Sequence, residues 1–335
     1  MLTEQTLEQL WELHINQTHK EKKKIWNLIR SKFYKWQTPE ILFKIFRTYL
    51  QRCDADGSKV IVEKQLTESS LCALMARNEI SAIHVPSFCP PDVAESLSRK
   101  AFEEYTHWKL EGIISTDMFY AGGSIPKEAA DHNWIDFQRY FKEREDFVAK
   151  QRELSLGNWA VDRLRLDLDE KWPFGACLGK YLGQTLRPAI MRIMDAKNNL
   201  DISVPKQGLI HTDDFPRLKP SYGTFSANIY LKIPEKGGEL YIWGVNLRKI
   251  QGIRGYISTQ LLATLMNQGY VFDIKWQEEI LRLLPEAHVI KPNVGDLVIF
   301  HSGRPHSVAP VTKGIRVTNQ LFIDVRGKSP LIIRS

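Results

Sequence analysis

Apolar positions in the first 80 residues recur at helical spacing. Leu7, Leu10 and Trp11 share one face, as do Trp26, Ile29 and Phe33. Thr38-Pro39-Glu40 marks a helix start, with a capping Thr ahead of a Pro in the first turn. Ile41, Leu42, Ile45, Phe46 and Tyr49 extend that helix with an apolar face. Cys53-Asp-Ala-Asp-Gly-Ser58 breaks the pattern; it lacks the later ligands and closing Glu of a calcium loop, so it reads as a turn. Thr67-Glu-Ser-Ser-Leu71 opens a further helix. The pattern then changes: Ile80 to Val85 predicts a strand, and Pro86-Ser-Phe-Cys-Pro-Pro-Asp92 leads into a helix through Tyr105. Asp162 to Glu170 alternates charged and apolar residues and predicts an edge strand, with Arg163 and Arg165 on one face. Tyr181 to about Lys197 predicts a helix packed under a sheet. From about Gly208, short apolar runs between glycine turns predict strands: Ser226 to Lys232, the segment after Gly237-Gly238, Gly295 to Phe300, and Gly314 to Ile323. Helical stretches at Ser258 to Met266 and about Trp276 to Leu284 interrupt that series.

Candidate chemistry centres on Gly208-Leu-Ile-His-Thr-Asp-Asp-Phe-Pro216. In an extended segment, His211 and Asp213 point to the same side, so an imidazole and a carboxylate converge. A third ligand has to come from elsewhere, and His306 in Gly303-Arg-Pro-His-Ser-Val-Ala-Pro310 is the candidate. Two histidines and one carboxylate on one face form the triad of non-haem Fe(II) oxygenases, which leaves metal positions open for co-substrate and oxygen. A His-x-Asp pair alone also arises by chance in surface loops; the order and spacing of the downstream segments give it weight.

Those segments resemble the iron(II)- and 2-oxoglutarate-dependent dioxygenases, most closely the prolyl-hydroxylase-like branch. The resemblance rests on His211-x-Asp213, the Gly-Gly-x-Leu turn at 237–240, the Gly-Asp-Leu-Val-Ile-Phe run at 295–300, distal His306, and Arg316-x-Thr318 ten residues beyond it. It covers closely about the last 130 residues. It implies an α+β fold with a double-stranded β-helix (jelly-roll) core, flanking helices and a helical N-terminal region. It divides the chain into a helical extension over 1–78 and an oxygenase domain over 79–335, with the β-core at about 205–326. An insertion at about 244–288 is expected to act as a lid, a specificity element or a dimer contact. The implied cofactors are Fe(II), 2-oxoglutarate and O₂. The implied roles are metal ligation by His211, Asp213 and His306, and 2-oxoglutarate binding by Arg316 with help from Thr318. An arginine fork suits a carboxylate, and residues 316 and 318 share a strand face. His301 is the neighbouring alternative to His306. Related halogenases carry Gly or Ala at the carboxylate position, so Asp213 points to oxygenation.

The substrate is expected to be a small molecule, an amino acid or a specialised metabolite. It would be hydroxylated or oxidatively cyclised at an unactivated C–H bond, with succinate and CO₂ as co-products. Candidate substrate contacts are Asp214, Asn228, Tyr222, Trp243, Arg163 and Arg165, with Tyr230 named beside Asn228, Tyr222 and Trp243. A peptide or protein hydroxylase using the N-terminal helices to hold its partner is the alternative. Composition changes this picture little. The 335 residues are 43% hydrophobic and 25% charged, as in an ordinary globular protein. A net charge of +7 suits an acidic substrate; the excess is dispersed, and its one dense run at 19–24 reads as a solvated helix face, so no nucleic-acid partner is expected. No apolar run approaches the roughly 20 residues that span a bilayer. Without a signal-like start, the protein is expected to be cytoplasmic, as a monomer or homodimer. Cys53, Cys72, Cys89 and Cys177 are scattered and expected to be reduced.

Overall fold

The computed structural model of the chain describes residues 47, 57–76, 79–105, 116–121, 134–199, 206–213, 222–245 and 274–335. The helices expected before residue 57, Arg47 apart, and the helix expected at 258–266 lie outside the described residues. The elements begin with β1 (Lys59–Val62), α1 (Glu68–Ala76), β2 (Ile80–Val85), α2 (Pro91–Tyr105) and β3 (Thr116–Ala121). Next come α3 (Trp134–Leu154), α4 (Ala160–Lys171), β4 (Ala176–Leu178), β5 (Lys180–Tyr181), β6 (Gln184–Thr185) and β7 (Ile190–Asn199). The remainder holds β8 (Tyr222–Lys232), β9 (Leu240–Trp243), α5 (Ile274–Leu283), β10 (Ala287–Ile290), β11 (Leu297–His301), β12 (His306–Val308), β13 (Ile315–Arg326) and β14 (Leu331–Arg334). The fold is mixed α+β.

Among the described residues a nine-stranded sheet dominates, running β1-β2-β11-β8-β13. The far edge of β13 pairs with β7 through its first half and with β14 near its end. A smaller sheet has the order β10-β9-β12, and His211 bridges to His306 on the free side of β12. Alternation along the strands decides what each face does. From β8, β11 and β13, the odd-numbered Phe225, Ala227, Ile229, Ile299, Leu321 and Ile323 pack with helical residues such as Leu97, Val161 and Leu164. The even-numbered Tyr230, Val298 and Phe300 instead meet Leu240 and Ile242 of β9 and Ile290 of β10. The large sheet therefore has helices on one face and the small sheet on the other, and the even-numbered face looks into the space between the sheets.

Three segments depart from the expectation. Residues 59–62 form β1, parallel to β2, where helix was expected. Leu66, Leu71 and Leu74 join the main core, so this stretch belongs to the large sheet and its packing. The helix expected at Thr67 does form, with Thr67 Oγ1 accepting the Ser70 N–H at 3.1 Å. Residues 162–170 are helix α4, not an edge strand. Val161, Leu164 and Leu168 are buried at helical spacing, and Leu166, the odd member of the apparent alternation, is 63% exposed. The third departure is the helix expected from Tyr181 to Lys197. Leu182 and Gly183 adopt φ of 49° and 81° and turn the chain into the β5–β6 hairpin, after which β7 buries Met191 and Ile193 with period two.

Gly208 fixes how closely the 206–213 segment approaches β12. Its φ is 84°, and a Cβ there would collide with the carbonyl oxygen of Val308. Gly208→Ala is expected to cost at least about 1–3 kcal/mol through combined backbone strain and overlap. A urea unfolding curve checks it, and an unchanged midpoint would refute this account of the close approach.

Candidate metal centre

His211 leaves the 206–213 segment beside β12 because the two backbones are laddered. His211 N–H donates to His306 O at 3.0 Å, and His306 N–H donates to His211 O at 2.9 Å. Asp213 N–H donates to Ser302 O at 2.9 Å, and Ser307 Oγ donates to Gln207 O. This registers residue 211 opposite residue 306, on neighbouring strands. The two imidazole centroids lie 4.4 Å apart. His306 Nε2 is 3.2 Å from Asp213 Oδ2, and His211 Nε2 is 3.6 Å from Asp213 Oδ1. The ligand atoms of all three lie within 4.8 Å of one another. A cation with bonds of about 2.0–2.2 Å places neighbouring ligand atoms about 3 Å apart, so the cluster needs only a small contraction around an ion. The three side chains form a facial triad.

Each ring is aimed by its own backbone. His211 donates Nδ1–H to Leu209 O at 2.9 Å, and His306 donates Nδ1–H to Arg304 O at 2.9 Å. That sets the direction of each ring and leaves both Nε2 atoms turned toward Asp213. Burial pushes His211 down from 6.5 to about 4, and the nearby His306 adds to the shift. For Asp213, burial alone would push the carboxyl up. His211, the His306 hydrogen bond and Arg192 outweigh it and hold the group well below the usual carboxylate range. Neutral imidazoles and an ionised carboxylate are the forms a metal requires.

Between about pH 4 and 6.5 an unfolded His211 carries a proton that the folded one does not, so acid favours unfolding there. Metal-free protein is expected to lose stability as pH falls from about 6.5 to about 4, and His211→Ala is expected to flatten that part of the curve. Denaturant midpoints across the window check it; an identical slope in the variant would refute it.

Arg316 lies on the same inter-sheet face and is 1% exposed. Its guanidinium sits 5.1 Å over the Tyr230 ring and donates to Met194 Sδ at 3.7 Å. Gly238 makes room for it, since a Cβ there would come within 3.2 Å of Arg316 Cδ. Thr318 stands opposite Tyr230 across the strand pair. Thr318 Oγ1 and Tyr230 Oη are both buried without a hydrogen-bond partner among the described residues. A buried cation flanked by two such hydroxyls fits a carboxylate. Phe300 links this group to the triad: it packs in one cluster with Tyr230 and meets the His306 ring at 4.8 Å. The donor set thus fits both a divalent iron and an acidic co-substrate.

The other expected site residues separate. Asn228 is buried on the inter-sheet face, opposite Gln320 and Val298. Trp243 stacks on Tyr241 at 6.2 Å; its neighbour Ile242 is the residue opposite His306, so Trp243 faces the other side of the small sheet. Arg163 and Arg165 are not brought to the triad. They sit on α4, behind the large sheet, where Arg163 donates to Phe88 O at 2.8 Å and Arg165 pairs with Asp162 at 2.8 Å. Asp214 and the Tyr222 side chain lie outside the described residues. His301 turns to the helical face against Phe225, and it is His306 that clusters with His211 and Asp213. Tyr230 gains weight as a pocket residue; its strand was legible in the sequence, but the parity that aims it inward was not.

No family model matches the sequence, and no curated protein matches it. Among solved structures the chain is similar to an N-substituted L-amino acid dioxygenase from Burkholderia ambifaria, with 14% identity and a TM-score of 0.43 over 81% of this chain and 92% of that one. It is similar to a prolyl-4-hydroxylase from Pseudomonas putida, with 17% identity and a TM-score of 0.36 over 76% and 98%. It is also similar to SnoK, a non-haem α-ketoglutarate-dependent carbocyclase from nogalamycin biosynthesis, with 15% identity and a TM-score of 0.43 over 82% and 100%. No helix among the described residues is long and apolar enough to cross a membrane.

Proposed function

We propose that the protein is an Fe(II)- and 2-oxoglutarate-dependent oxygenase acting on an unactivated C–H bond of a small molecule. The observation that carries this reading is the His211–Asp213–His306 triad sharing one inter-sheet space with Arg316, Thr318 and Tyr230. The strand order supports a double-stranded β-helix core: β7-β13-β8-β11 in one sheet faces the His211 segment, β12, β9 and β10 in the other. Bound iron would supply O₂ activation coupled to oxidative decarboxylation of the 2-oxo acid. The chain does the rest. Arg316 binds and orients the distal carboxylate, with Thr318 and Tyr230 donating hydroxyls to it. Leu240, Ile242, Val298 and Phe300 keep water from the space behind it. Asn228, its amide on the inner face, is the substrate contact we retain.

Anaerobic addition of Fe(II) and then 2-oxoglutarate tests the reading directly. A weak visible charge-transfer band is expected only when both are present, and O₂ should then release succinate. If no iron binds and no band forms, the catalytic reading falls, and the protein is better treated as a binding module on the same sheets.

A further inference from the structure

The segment that carries two of the three ligands is held from both sides. On one side His211 exchanges two main-chain hydrogen bonds with His306. Backbone groups alternate in direction along an extended segment, so the N–H and C=O of the preceding residue, Ile210, face away from β12. Among the described residues no strand lies there. Gln277 of α5 fills the gap. Ile210 N–H donates to Gln277 Oε1 at 2.8 Å, and Gln277 Nε2–H donates to Ile210 O at 3.1 Å. One side-chain amide thus offers the acceptor and donor that a neighbouring strand would offer. Gln277 and Ile210 are both 0% exposed, so neither backbone group has water as a substitute. Helix α5 buries Ile280 beside Gln277, with Leu284 buried just past its end, and lies at the C-terminal end of the insertion between β9 and β10.

We propose that Gln277 is a positioning residue of the metal centre, setting the direction from which His211 and Asp213 meet the ion by pinning Ile210. The proposal rests on the metal site described above. Without the amide, the N–H and C=O of Ile210 lose their partner, and the His211–Asp213 stretch is held only from the side of β12 and the turn before it. The metal would then meet a ligand set that has to be ordered as it binds.

The test uses Mn(II) as the probe, titrated into metal-free full-length protein and followed by the electron paramagnetic resonance of free Mn(II). Thermal midpoints of the metal-free proteins are measured alongside. Gln277→Met keeps the length and removes both hydrogen bonds; it is expected to weaken Mn(II) binding by about 10–100-fold, the range seen when residues that orient metal ligands are lost. Gln277→Glu keeps the acceptor for Ile210 N–H and should lose less; it also serves if the Met variant does not fold. A lowered midpoint with wild-type Mn(II) affinity in the folded variants would reduce Gln277 to a packing role and overturn the proposal. A wild-type protein that binds no Mn(II) overturns the metal centre itself, which is a different failure.

Discussion

Asp213→Gly is expected to lose more than about a hundredfold in succinate formation, because losing a group that merely orients a ligand already costs about 10–100-fold. Asp213 supplies the only negative charge in the triad and lies close to both Nε2 atoms, at 3.2 and 3.6 Å. Its removal leaves two neutral imidazoles to hold a dication. Asp213→Asn separates charge from shape: it keeps the volume and one oxygen, and should retain only a small part of the iron affinity. Iron bound per chain after anaerobic reconstitution, read with succinate release, gives both answers. Wild-type turnover in the glycine variant would sink the triad assignment and, with it, the choice of His306 over His301.

The second large effect belongs to Arg316. Arg316→Ala is expected to raise the KM for 2-oxoglutarate by about two to three powers of ten, as charge-assisted, two-pronged hydrogen bonds to a carboxylate disappear from a buried site. Fe(II) binding should change little, since Arg316 is not one of the three clustered ligand residues. Arg316→Lys should not restore the wild-type value, because an ammonium lacks the planar fork. Tyr230→Phe removes one hydroxyl and should cost about tenfold or less. The measurement is a 2-oxoglutarate titration of the anaerobic iron complex. An unchanged midpoint in Arg316→Ala would move the co-substrate to another part of the inter-sheet space.

How much of this was legible in the sequence depended on whether the determining contact was local. The strands at 226–232, 295–300 and 314–323 announced themselves as apolar runs bounded by glycines, and Gly208, Gly237, Gly238, Gly295 and Gly314 all adopt positive φ. The His211-x-Asp213 pair was legible because a two-residue spacing has one meaning on an extended segment. Elsewhere the pattern was ambiguous. Alternating charge at 162–170 suits a strand, yet it also places Asp162 with Arg165, and Arg163 with Asp167, at helical pair distances. Arg163 and Arg165, expected on one face of an edge strand, lie on helix α4 behind the large sheet. Which parity of β8 looks inward could not be read either, since both parities are almost wholly buried. Gln277 was invisible for another reason: its partner is the backbone of Ile210, 67 residues away, and a backbone amide leaves no signature in sequence.

The two ligand histidines are each aimed by the carbonyl two residues upstream, Leu209 for His211 and Arg304 for His306. The aim is therefore written in the course of the main chain and asks nothing of Leu209 or Arg304 as side chains. In many metal sites the outer hydrogen-bond acceptor is a carboxylate that must itself be kept through descent. A substitution at Leu209 or Arg304 that keeps the course of the main chain therefore keeps both carbonyls, and with them the direction of both rings.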